Sequence, residues 1–135
     1  MTTPHRIQRR RTKGWRAEDH TTSPLGAVYV GRPTRFGNPF RVAYDPDTKG
    51  WHVAAANGFS VGTFPTDAEA RRYATDAFRV WLNQPERESL RALFRSLLHG
   101  RDLACWCPLP EPGRPDHCHA AVLLELSNGA EEPAR

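Results

Sequence analysis

The chain has 135 residues, 39% apolar and 10% aromatic, which suits one domain with an adequate core and argues against wholesale disorder. No apolar run approaches the roughly 20 residues that cross a bilayer, and the charged start MTTPHRIQRRRTKGW has no apolar stretch behind it, so neither a membrane span nor a secretory signal is expected. The net charge of +4 is concentrated in a leader, where Arg6, Arg9, Arg10, Arg11, Lys13 and Arg16 precede any acid, leaving 13 basic against 15 acidic side chains elsewhere.

Such a leader attracts phosphates of nucleotides or nucleic acids. Trp15 beside Arg16 suggests that the leader, residues 1–16, is docked, because an exposed tryptophan is costly to leave without a contact. Residues 17–25 read as a connector, and Ala27–Val30 as a short buried strand. That strand runs into Gly31-Arg32-Pro33-Thr34-Arg35-Phe36-Gly37-Asn38-Pro39-Phe40. Glycines allow sharp turns that present backbone N–H groups, and arginine forks match phosphate oxygens, so this loop is a candidate anion site. It has neither a Walker sequence nor GxGxxG, and the plainer account is a structural turn. Gly31, Arg32, Pro33, Arg35, Gly37 and Asn38, with Trp15 and Arg16 from the leader, are the candidate ligand-binding residues.

Phe40–Tyr44 and Trp51–Ala55 flank the turn DPDTKG and predict a β-hairpin, with Phe59–Phe64 as a third short strand. Thr66 with Glu69 three residues on opens a helix in which Ala70, Tyr73, Ala74, Ala77, Phe78, Trp81 and Leu82 recur at helical spacing up to Asn83. A second helix starts around Pro85–Glu88, buries Leu90, Leu93, Phe94, Leu97 and Leu98, and stops at Gly100. A strand Leu103–Cys107, a proline-rich loop and a helix opening near Cys118 follow, and residues 130–135 are expected to fray.

The last stretch holds all three cysteines, Cys105, Cys107 and Cys118, with His117 and His119. An odd count forbids a complete disulfide framework within the chain and points to a reduced, cytoplasmic protein. On an extended strand Cys105 and Cys107 share a face, but two residues span about 6.6 Å, too far for both sulfurs to sit about 2.3 Å from one zinc. A zinc site of Cys105, Cys107, Cys118 and His119 therefore needs the strand to curl at Trp106–Cys107, which Pro108 permits without requiring, and no cofactor is favoured by the spacing alone. Cys118 at a helix start could instead be a nucleophile with a lowered pKa, His119 its base and Cys107 a redox partner. The simplest account is that all three thiols pack.

VYVGRPTRFGNPF followed by DLACWCPLP and CHAAVLLEL resembles the family catalogued as domain of unknown function 4326, small bacterial and phage proteins. The lead-in Lys13-Gly14-Trp15-Arg16 is also similar to that of many members, which implies that the leader belongs to the domain. Ala121 stands where members usually carry aspartate, and the loop between CWC and CH is longer by GRPDH. The resemblance implies no established activity. The expectation is one α/β domain over residues 1–129, α+β being the alternative, with a small mixed sheet, a hairpin and about three helices. If the VYV and LACWC strands are parallel neighbours, the glycine–arginine loop faces the Cys/His stretch across one sheet edge. The function expected is nucleotide- or nucleic-acid-directed. The alternative is a non-catalytic nucleic-acid-binding or protein-interaction module stapled by zinc. Whether the protein is an enzyme, and its oligomeric state, stay open at this level.

Overall fold

The structure, a computed structural model, describes residues 3–128. Its strands divide between two sheets: a parallel one of β1 (Arg6–Gln8), β6 (Asp102–Cys105) and β2 (Ala27–Tyr29), and an antiparallel one of β3 (Arg41–Asp45), β4 (Gly50–Ala54) and β5 (Ser60–Phe64). Among the described residues there are three α-helices, α1 (Asp67–Leu82), α2 (Glu88–Leu98) and α3 (His119–Asn128), so the α/β class, the hairpin and the helix number stand as read. No helix among them is long and apolar enough to cross a membrane. The expected frayed tail, residues 130–135, lies outside the described residues.

β6 is central, with all four residues buried, as a parallel strand covered on both faces should be. Leu103 pairs in register with Arg6 of β1 and Val28 of β2. β1 is absent from the sequence reading, because RIQ offers one apolar residue, Ile7, and no period; Ile7 is nevertheless 5% exposed. The expected strand Leu103–Cys107 is corrected at both ends: it begins at Asp102 and leaves the ladder after Cys105.

Thr66 caps α1 by accepting the Glu69 N–H at 3.2 Å, and Asn83 ends the helix before Pro85. The helix serves two cores. Ala70 and Ala74 pack on Val53, Val42, Trp51 and Phe64 of the antiparallel sheet and on Phe40 just before it, while Phe78 and Leu82 join Phe94, Leu98, Leu103, Val122 and Leu123 in the larger core. Each such large side chain contributes about 1.5–3 kcal/mol by burial. The predicted helix stripes are too wide: Tyr73 is 38%, Leu93 42% and Leu97 40% exposed, since each helix covers only one side of so small a core. α2 is preceded by a 3-10 turn, Pro85–Arg87, and Gly100 follows it at φ +78°, where glycine is favoured.

Candidate metal centre and adjoining cavity

The parallel strands β2 and β6 release their chains at the same sheet edge, and this places the site. After Cys105 the backbone bends at Trp106–Cys107, bringing the Cys105 and Cys107 sulfurs to 4.0 Å. Cys118 lies at the start of α3, its carbonyl accepting the Ala121 N–H at 2.9 Å, and its Sγ is 3.9 Å from His119 Nδ1. One donor atom from each of Cys105, Cys118 and His119 lies within 4.8 Å of the others, and the three residues are buried at 5%, 1% and 7% exposure. A tetrahedral zinc with bonds of about 2.3 Å to sulfur and 2.0 Å to nitrogen has donor–donor edges of about 3.8 Å and 3.5 Å. The separations of 4.0 Å and 3.9 Å are close to those edges.

His119 is oriented for such a role. Its Nε2 lies 2.7 Å from the Val30 carbonyl, which only accepts, so Nε2 carries the proton and Nδ1 presents a lone pair toward the thiols. Metal-ligating histidines are typically held in this way by their second nitrogen. The same bond ties the residue before the glycine–arginine loop to the start of α3. Phe78 meets the imidazole edge-on at 5.7 Å.

Electrostatics also favour a cation among the thiols. Hydrogen bonds from Cys107, then Cys118, hold the Cys105 thiol well below its ordinary pKa. Cys107 is pushed up, first by its hydrogen bond with Cys105, and Cys118 by its hydrogen bonds with Cys105 and Cys107 together with burial. One negative charge is thus favoured in the cluster and further charges are opposed. Two or three thiolates coexist there only beside a cation. The lowered pKa expected for Cys118 from its helix position runs the other way, because neighbouring thiols and burial outweigh the helix dipole.

Arg6 holds the turn that makes this geometry. Its guanidinium donates to both carboxylate oxygens of Asp116, at 2.6 and 3.0 Å, to the Cys107 carbonyl at 2.7 Å and to the Pro108 carbonyl at 2.6 Å. Burial works against its charge, but the hydrogen bond to Asp116 and the nearby thiols outweigh this, and its pKa is raised. The sequence reading counted Arg6 among the phosphate-seeking cations of the leader. The structure shows it 5% exposed and fully engaged. A second buried group the sequence did not reveal is Asp102, which accepts from the His5 N–H, the Thr21 hydroxyl and the Thr22 N–H at 2.9, 2.6 and 3.0 Å.

Beside the cluster lies a cavity of about 420 Å³. The four cluster residues, His117 and Trp106 line one side, and Gly31, Arg32 and Asn38 the loop side. Phe40, Trp51, Asp67 and Arg71 close it from the antiparallel sheet and α1. Arg32 and Cys118 therefore face the same space. Gly31 and Gly37 serve close approach: a Cβ at Gly31 would meet the Tyr29 ring at 2.6 Å, and one at Gly37 the Arg32 side chain at 2.9 Å. Asn38 is committed internally, donating to the Ala74 carbonyl and accepting the Phe40 N–H. Pro33 and Arg35 are exposed and are not among the cavity walls, and Trp15 and Arg16 lie elsewhere, Trp15 stacked on His20 at 5.1 Å and Arg16 beside Glu18. Arg9 and Arg11, read in the sequence only as part of the basic leader, place their guanidiniums 4.9 and 4.5 Å from the Trp106 ring centre, Arg9 also 4.7 Å from that of Tyr29.

Fold and site together define a small α/β domain with a buried Cys/His cluster able to hold a metal ion. The chain belongs to the family described as Domain of unknown function (DUF4326), whose family model matches residues 7–129. No curated protein and no solved structure matches it.

Proposed function

We propose that this protein is a zinc-stapled binding domain in which Cys105, Cys107, Cys118 and His119 Nδ1 hold one zinc ion, and that the cavity beside it receives a phosphate-bearing ligand, nucleotide or nucleic acid. The observation that carries the metal reading is the convergence of the buried Cys105 and Cys118 sulfurs on a histidine nitrogen whose partner nitrogen is spent on Val30, with the half-buried Cys107 sulfur 4.0 Å from that of Cys105. Bound zinc would supply structural cross-linking: four protein donors complete its tetrahedron and leave no position for a substrate. Residues 1–129 then act as one domain, with the leader tied in through Arg6. A nucleophilic Cys118 is the weaker reading, because its thiol is 1% exposed and pushed up by its neighbours, and His119 is held by Val30.

Native mass spectrometry of the reduced protein, with and without chelator, tests this. The expected result is one zinc per chain, lost on chelation together with the circular-dichroism signature of the fold. An apo mass with three freely alkylated thiols and a chelator-insensitive fold would overturn it.

A further inference from the structure

We infer that the ligand of the cavity is a nucleoside monophosphate, free or at the end of a strand, with its phosphate on Arg32 and its base against Phe40 and Trp51. This rests on the reading of the cavity as an anion-binding site and names the ligand class. Arg32 is exposed, donates once, to the Asn38 carbonyl at 2.7 Å, and has no carboxylate in ion-pair reach among the described residues. The rest of its planar fork is free to grip a phosphate. The one acidic side chain among the cavity walls, Asp67, is neutralised by Arg71 at 3.0 Å, so no free carboxylate there repels an anion.

The apolar part of the lining has a different character. The half-buried Phe40, Val42 and Trp51, with the buried Ala74, give an apolar face suited to a flat heterocycle and of no use to inorganic phosphate or a bare sugar phosphate. A volume of about 420 Å³ falls within the range of sites that enclose small ligands. A cationic edge and an aromatic wall within one cavity are complementary to the two ends of a nucleotide. On Trp106, which lines the cavity, stack Arg9 and Arg11, which pair with no carboxylate among the described residues and offer a positive path for further phosphates.

The test is titration of the purified, metal-loaded protein with the four ribonucleoside 5′-monophosphates, ribose 5-phosphate, inorganic phosphate and a 5′-phosphorylated trinucleotide, read by tryptophan fluorescence and calorimetry. At least one mononucleotide should bind saturably, roughly ten- to a hundredfold more tightly than ribose 5-phosphate or phosphate. Arg32→Ala should weaken it about tenfold or more, and Arg32→Lys should recover only part, because the fork is lost. Tighter binding of the trinucleotide that is lost in Arg9→Ala/Arg11→Ala assigns the strand end, and equal binding assigns the free nucleotide. Failure of every nucleotide to bind, equal binding of phosphate, or insensitivity to Arg32 overturns the inference. If ribose 5-phosphate and phosphate bind through Arg32 as tightly as nucleotides, the anion site stands and the nucleotide falls. Native mass of the same sample separates the metal: zinc retained without nucleotide binding sinks this inference alone, and metal-free folded protein that binds nucleotide sinks the zinc reading alone.

Discussion

Replacing Arg6 by methionine removes four hydrogen bonds at once while keeping most of the side-chain volume. Asp116 is left as a carboxylate with 21% side-chain exposure and no cation, and the Cys107 and Pro108 carbonyls lose their donor. Charge-assisted bonds contribute about 1.5–3 kcal/mol each, but they are not additive here because one guanidinium makes all four. Breaking a buried pair by removing one partner costs about 3–5 kcal/mol, and the partial exposure of Asp116 puts the expected loss at the lower end, about 3 kcal/mol. Arg6 also fixes the carbonyl of a residue whose thiol belongs to the metal cluster, so zinc affinity should fall about 10- to 100-fold, as for other outer partners of ligands. Urea denaturation in zinc-saturated buffer reads the first effect, and competition with a chromophoric chelator the second. Adding Asp116→Leu should recover stability by removing the orphaned carboxylate, yet leave zinc affinity low, because the two carbonyls remain free. A single variant within about 0.5 kcal/mol of the parent in stability and twofold in zinc affinity refutes the clamp.

Asp102 gives a pH signature. Burial pushes its carboxyl up, but hydrogen bonds from Thr21, His5 and Thr22 outweigh this and hold it below its ordinary value. A depressed folded-state pKa adds stability that is complete above the unfolded value of about 3.9 and lost as pH falls through the folded value. Asp102→Asn should therefore lower stability at neutral pH and flatten its decline below about pH 4; an unchanged acid slope in urea midpoints counts against this. Gly31→Ala should cost about 1–3 kcal/mol and weaken ligand binding, because the new methyl runs into a Tyr29 side chain held by its hydroxyl on the Arg32 carbonyl. Parent-like stability and affinity would mean that Tyr29 moves freely aside.

Local chemistry was legible, distant pairing much less so. The Thr66 cap, the helical spacing of Ala70, Ala74, Phe78 and Leu82 and the hairpin around DPDTKG are written in short windows, and the structure reproduces them within a residue or two. The parallel pairing of β2 with β6 entered the sequence reading only as a condition, and the structure meets it. β1 could not be read, because its three residues gain strand character only from pairing with β6, almost a hundred positions away. The bend that closes Cys105 on Cys107 is a related case. An isolated CWC reads as extended, and what turns it is Arg6, which donates to the Cys107 and Pro108 carbonyls and to the Asp116 carboxylate of the following loop. Nothing local in GNPF reveals that the Asn38 amide donates to the Ala74 carbonyl of α1 while accepting the Phe40 N–H of its own loop.

These long-range pieces meet for one reason. The parallel sheet consists of strands of 3, 3 and 4 residues, too short for their ladders alone to hold segments drawn from opposite ends of the chain. Each strand is fastened at the cluster instead: β6 through Cys105, β2 through the Val30 carbonyl on His119, and β1 through Arg6 on the CWC turn. Structural zinc sites bind with apparent free energies of about 10–16 kcal/mol, against about 5–15 kcal/mol for the whole stability of an ordinary domain. A bound zinc ion of the kind proposed is therefore large enough to decide whether this sheet forms. The antiparallel sheet, with five-residue strands and its own apolar contacts to Ala70 and Ala74 of α1, depends on the cluster less directly. Metal loss should then loosen β1, β2 and β6 first, and with them the cavity wall that carries Arg32.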